Sequence, residues 1–158
     1  ARGMRPMISQ LESLGKWTFF AVREMHANIA KLESSVAYKS LSASHTLSAV
    51  LGYESRAGIH KPGGQITDAS AASALIWLHR FLRLWVLTWK EPRAPTFQEA
   101  LLAAYDNSVG PYHTWLLQRT FKMATAVVPS WEEAHVKLGN HDVQGEHGML
   151  NSIAALLP

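Results

Sequence analysis

Apolar residues along this chain recur at helical intervals, and no convincing strand alternation is present. Val22, Met25, Ile29, Leu32 and Val36 follow one another at steps of three and four, which predicts one amphipathic helix from about Trp17 to Tyr38. Ser42 to Tyr53 reads as a shorter helix, and Gly58 to Gly64, with Pro62 inside it, as a loop. Asp68 or Ser70 is placed to cap the next helix, which runs through Trp89 and is stopped by Pro92 and Pro95. Thr96 with Glu99 three residues on forms a capping-box pattern, and the helix behind it is expected to end near Gly110. Pro111 stands where a first helical turn tolerates proline, and Pro129 closes that last clear helix. The polar, glycine-punctuated stretch Gly139 to Gly148 reads as loop, and Met149 to Leu157 as a short terminal helix. With no internal repeats, the pattern predicts a single all-α domain, either a bundle or a two-layer helical fold.

The length of 158 residues suits one domain with a sizeable core, and 47% hydrophobic against 17% charged residues excludes a disordered tail. The absence of Cys removes a disulfide framework, thiolate metal sites and a Cys nucleophile, and fits a reducing compartment. A net charge of +3 with a pI of about 9.3 favours anionic surfaces. No run of four Lys/Arg exists, however, so no nucleic-acid partner is expected. The longest apolar stretch, Ala74 to Trp89, is interrupted by His79, Arg80 and Arg83 and falls short of a membrane span. Ala1 to Pro6 lacks the apolar core of a secretory signal, so a soluble, cytosolic protein is expected.

Three helices carry candidate chemistry. At about 100° per residue, Glu24, Asn28 and Lys31 fall within an arc of about 60°, centred about 110° from the apolar stripe. A carboxylate, an amide and an ammonium thus align at the edge of the core and offer both donors and acceptors to a polyhydroxylated ligand. The same stripe also fits a solvated helix face. On the next helix, Trp77 suits either a sugar's C–H face or the core, while Arg80 and Arg83 need partners or water. On the third, Trp115 shares a face with Arg119 and Lys122, as an interfacial membrane contact would. An incidental exposed Trp fits equally. His113 is placed on the opposite side, in the first turn, as a cleft residue or a satisfied core histidine. His141, Asp142 and His147 lack the helical spacing of a metal pair, and there is no nucleophile elbow, phosphate loop or dinucleotide fingerprint. No metal, cofactor or catalytic residue is therefore expected.

The ordered series Glu24-x-x-x-Asn28-x-x-Lys31, Leu75-Ile-Trp77-Leu-His-Arg80, Ala104-Tyr105, Tyr112-His113-x-Trp115 and Pro129 resembles the glycolipid transfer protein family over about Ile8 to Gly139. The resemblance implies an all-α two-layer sandwich that holds lipid chains between helical layers, with the headgroup in a surface site. It implies that Asn28 and Lys31 bond the sugar; Arg80 is expected among the headgroup residues as well, available to an anionic group. It further implies that the first sugar stacks on Trp77 and that His113 bonds the ceramide amide carbonyl. Leu84 and Phe121 match positions lining the hydrocarbon pocket, and Trp115 matches a membrane-surface aromatic. Glu24 stands where the family usually has Asp, which bonds both sugar hydroxyl and ceramide amide, so the extra methylene must fold back or the ligand must shift. The fold is expected to be shortened at the C-terminus, since the family's long final helix would need about 30 more residues, a span of about 45 Å.

Within the family, phosphate-headed relatives look as though they replace this Asn with Lys and this Trp with Arg, which suits a phosphate's need for cations. Asn28 and Trp77 are neutral, so the expected ligand is a glycosylceramide, carried between membranes without chemistry. A ceramide-1-phosphate or phospholipid carrier, a lipid sensor or scaffold of the same fold, and a hydrolase built on Glu24 and His113 are the alternatives.

Overall fold

The computed structural model describes residues 4–41, 46–90 and 94–139. It begins with a helix that the sequence pattern did not announce. This is α1, Arg5–Leu14, which carries Pro6 in its first turn and buries Met7, Ile8, Leu11 and Leu14 at steps of one, three and three. Gly15, at φ 119°, takes a backbone conformation that L side chains rarely adopt and ends it. A 3-10 turn, Lys16–Thr18, leads into α2, Phe19–Ser34.

The expected single helix to Tyr38 is broken at Ser35. That residue is extended (φ −62°, ψ 147°) and its hydroxyl accepts from the Tyr38 amide at 3.2 Å, capping a separate short α3, Val36–Ser40. A serine that bonds the local backbone competes with helix continuation. Val36 consequently leaves the apolar stripe and is exposed.

The next helix, α4, Leu47–Arg56, starts later than Ser42. Thr46 caps it by accepting from the Ala49 amide at 3.1 Å, and residues 42–45 lie outside the described residues. The long α5, Ala71–Lys90, is capped by Ser70 rather than Asp68, with Ser70 Oγ accepting from the Ser73 amide at 3.1 Å. The Glu54 carboxylate, fully buried on α4, adds a second cap by accepting from the Ala71 and Ala72 amides at 2.6 and 2.9 Å. Two free N–H groups at the positive end of a buried helix are thus satisfied by a charge of the right sign.

Beyond Pro95, α6, Phe97–Asp106, has the expected Thr96–Glu99 capping box but stops before Gly110. A 3-10 turn, Gly110–Tyr112, holds Pro111 and precedes α7, Trp115–Ala124. Pro129 follows a further 3-10 turn, Thr125–Val127, and an additional helix comes after it. This is α8, Trp131–Lys137, opened by a second capping box of Ser130 and Glu133. Pro92, His141, Asp142, His147, most of the 139–148 loop and Met149 to Leu157 lie outside the described residues.

The architecture is all-α. Among the described residues the one β-type pairing is an isolated bridge, Lys61 to Gln65, and no helix is long and apolar enough to cross a membrane. The apolar α5 is central and packs against α2, α4 and α6, as a helix with little polar face must. Phe81, Leu84 and Trp85 on α5 join Met25, Phe97 and Tyr105 in the larger core cluster, while Leu78 joins Leu32 and Val50 in a second. Trp89 packs edgewise on Trp131, and both contact Phe97, which ties α5, α6 and α8 together.

Candidate functional site

The polar stripe of α2 opens into a surface cleft of about 380 Å³. Glu24, Asn28 and Lys31 form one wall, and Trp77 and Phe81 of α5 another. Tyr112, His113 and Thr114 close it from the segment before α7, and Asp68 comes in from the loop before α5. Helical periodicity sets the first wall, while the crossing of α2 and α5 supplies the indole opposite it.

Asn28 is buried to 4% exposure. Its Nδ2 donates to the Glu24 carbonyl one turn back at 2.9 Å, but its Oδ1 is buried with no hydrogen-bond partner. A buried amide oxygen without a donor carries a desolvation cost that a ligand hydroxyl would relieve. Lys31 reaches across to Asp68, Nζ to Oδ1 at 3.1 Å.

His113 does not sit in a helical first turn. Its backbone is extended (φ −90°, ψ 146°) between the 3-10 turn and Thr114, the N-cap of α7. Several contacts hold it there. Gln118 Nε2 donates to the carbonyls of Gly110 and His113 at 3.0 and 3.1 Å, and the Trp77 ring stacks on the imidazole at 5.6 Å between centroids. Gly110 permits the turn to lie against α6, because a Cβ there would meet Tyr105 Cε1 at 2.9 Å and its carbonyl oxygen at 3.0 Å.

The Tyr105 hydroxyl lies 2.8 Å from His113 Nδ1. Burial pushes the Tyr105 pKa up to about 12, with the charge of Asp106 adding to it, so the phenol keeps its proton and can donate it to Nδ1 or, in the other tautomer, accept from Nδ1–H. When the phenol is the donor, the neutral imidazole carries its own hydrogen on Nε2. Burial also lowers the His113 pKa, opposed by Glu24 and aided by Arg80, which keeps the ring neutral at pH 7.

Beneath the cleft lies an apolar slot of about 70 Å³. Leu84, Tyr105 and Phe121 line it along with Trp17 and Ala21, and the Phe121 ring stacks on Tyr105 at 3.8 Å. A smaller cavity of about 30 Å³ continues it past Leu84 and Phe121 towards Met7 and Met25. Cleft and slot share four lining residues, Phe20, Glu24, Phe81 and His113, so polar and apolar compartments meet at a carboxylate and an imidazole.

Arg80 is not among the residues lining the cleft. Its guanidinium lies 3.3 Å over the Tyr112 ring and 4.8 Å from the Trp77 centroid. On α7, Trp115 is 72% exposed, and Arg119 and Lys122 are exposed as well. Phe19, Phe20, Leu116 and Met123 add further exposed apolar surface on α2 and α7. Sequence reasoning missed Asp68 as a cleft residue, Tyr112 as the partner of Arg80, and Tyr105 as the partner of His113. A near-neighbour aromatic–histidine spacing was the only local trace of the last. Among the described residues no group of His, Asp and Glu could hold a metal ion.

Comparison with known proteins agrees with this fold. The family model described as glycolipid transfer protein matches residues 1–140. The structure resembles the apo form of mouse ceramide-1-phosphate transfer protein, with a TM-score of 0.79 and 19% identity over 96% of this chain and 75% of that one. It resembles HET-C2, a fungal glycolipid transfer protein, with a TM-score of 0.77 and 16% identity over 95% and 75%. It also resembles FAPP2, described as selecting simple glycosphingolipids using this fold, with a TM-score of 0.74 and 24% identity over 93% and 71%.

Proposed function

The chain belongs to the glycolipid transfer protein family, and from that premise we propose that it is a non-enzymatic carrier of a glycosylceramide between membranes, working from the cytosol. The junction at Glu24 and His113 carries this reading. A glycosylceramide is polar at one end, apolar at the other and has an amide between them, and the cleft, the slot and their shared wall follow the same order. The His113 Nε2–H suits the amide carbonyl and the Glu24 carboxylate the amide N–H. Glu24 is exposed, which leaves its longer side chain room to fold back onto the amide. The unpaired Asn28 Oδ1 accepts from a sugar hydroxyl, Lys31 donates to one, and the sugar packs on Trp77. Arg80, held on Tyr112, stays behind this wall and supports it.

Each methylene removed from water contributes about 0.8 kcal/mol, so the chains supply affinity and the cleft supplies selection. A slot of about 70 Å³ is small beside the several hundred ångströms cubed of ordinary ligand sites, so α2 and α7 must part to admit an alkyl chain. Trp115, with Arg119 and Lys122 on the same helix, meets the bilayer, and the neighbouring Phe19 and Phe20 bring the slot's mouth to it. No bond is broken, and the neutral, tyrosine-bound His113 needs no proton to move.

The test is vesicle-to-vesicle transfer of fluorescent glucosylceramide by the parent and by Trp77→Ala. The parent should transfer and the variant should lose at least tenfold at unchanged fold. Equal transfer by both, or preferential transfer of ceramide-1-phosphate by the parent, would sink this reading.

A further inference from the structure

The Lys31–Asp68 pair bridges α2 and the loop before α5 at the rim of the cleft. We propose that Asp68 determines headgroup specificity, its carboxylate favouring a neutral polyhydroxylated headgroup and disfavouring a phosphate monoester. The inference rests on the carrier reading above and adds to it a residue outside the motif that suggested the family.

Lys31 lines the cleft, and its side chain is 25% exposed. Unpaired, it would be a ready phosphate ligand. With Asp68 Oδ1 at 3.1 Å its charge is already matched. The other formally charged residue lining the cleft is Glu24, so two carboxylates face one ammonium. Arg80, whose charge reaches His113, does not line the cleft and rests on Tyr112. A phosphate monoester, carrying about −1.5 to −2 charges, must either share Lys31 with Asp68 or displace it, and then lies beside Glu24.

A sugar meets none of this repulsion. Asp68 offers Ser73 Oγ a long contact of 3.5 Å and still has acceptor positions for hydroxyls. The buried Oδ1 of Asn28, an acceptor without a donor, points to the same hydroxyl-bearing ligand. The Asp68 side chain is 89% exposed, so its effect is on selectivity, is screened by salt and adds little to folding.

The experiment measures equilibrium binding of the parent, Asp68→Asn and Asp68→Glu to phosphatidylcholine vesicles carrying glucosylceramide or ceramide-1-phosphate, at low and at 0.5 M salt. The parent should prefer glucosylceramide. Asp68→Asn should move the ratio about tenfold towards ceramide-1-phosphate, the effect of one largely water-screened charge a few ångströms from a phosphate. Asp68→Glu should keep the parental ratio, and high salt should narrow the parent's preference with no variant needed. An Asp68→Asn ratio within twofold of the parent, or a parental preference indifferent to salt, overturns the role of Asp68. If Trp77→Ala still loses glucosylceramide in that case, the carrier reading survives alone. A parent that prefers ceramide-1-phosphate, or binds neither lipid, overturns both.

Discussion

Replacing Tyr105 with Phe isolates one atom of the site. The Tyr105 ring is 1% exposed and stacks on Phe121 at 3.8 Å, and Phe preserves both features. Only the hydroxyl, 2.8 Å from His113 Nδ1, is removed. One net hydrogen bond is worth about 0.5–1.5 kcal/mol, and His113 is only half-buried, so water can partly serve its freed Nδ1. About 1 kcal/mol of stability should be lost, a fall of about 2–4 °C in Tm for a domain of this size. The larger consequence is for the tautomer. Without the phenolic proton on Nδ1, the ring is free to carry its hydrogen on either nitrogen, and the donor offered to a lipid amide carbonyl is no longer assured. A loss of about 0.5–1.5 kcal/mol in binding corresponds to about two- to tenfold weaker glucosylceramide affinity. Vesicle binding gives the affinity, and nitrogen-15 NMR of the imidazole gives the tautomer directly. The two residues act as one unit, so Tyr105→Phe should cost nothing more in a His113→Ala background. Additive losses, or a variant that keeps the Nε2–H tautomer and full affinity, would refute the coupling.

Three other outcomes follow from the same contacts. Because burial lowers the His113 pKa, the folded state binds this proton less readily than the unfolded chain. That contribution to stability is complete above pH 6.5 and is lost as pH falls through the lower folded value. NMR titration should find His113 below 6.5, and Glu24→Gln should move it further down by removing the carboxylate that opposes the shift. Glu54→Gln leaves one acceptor for the two amides at the start of α5, so thermal or urea unfolding should show a loss of about 1–3 kcal/mol. An unchanged midpoint would mean that the buried carboxylate is not the cap described. Gly110→Ala forces a Cβ to within 3.0 Å of the Tyr105 backbone, which should cost about 1–3 kcal/mol. It should also weaken lipid binding by shifting the turn that carries His113, read by calorimetry and by vesicle binding.

Much of the fold was legible where side chains act on their own backbone. The Thr96–Glu99 box and the Ser70 cap are contacts over three residues, and the chain alone specifies them. The apolar stripe of α2 and the near-uniform hydrophobicity of α5 announced which face of one and how much of the other would be buried. The errors fell where a local signal was overlooked or overridden. Ser35 broke a helix that Val36 had seemed to extend, and the Ser130–Glu133 box behind Pro129 began a helix that had gone unread. Four buried positions on α1 followed a helical spacing too short to stand out without the partner they pack on.

The sequence by itself determined that Glu24, Asn28 and Lys31 would share one side of a helix, because a period of 3.6 residues leaves them no other arrangement. It also determined that the molecule would be helical and would carry an aromatic and basic face on α7. Tertiary structure alone decided that this polar stripe would face an indole from α5, and that Lys31 would be met by a carboxylate 37 positions further on. It also decided that His113 would be held by a phenol from α6 and that Arg80 would be spent on Tyr112 rather than on the cleft. The reason is one of range. Periodicity and capping act over a few residues of one chain segment, whereas the charge balance of a cleft is set by how separate helices cross, and packing of the whole core chooses that crossing.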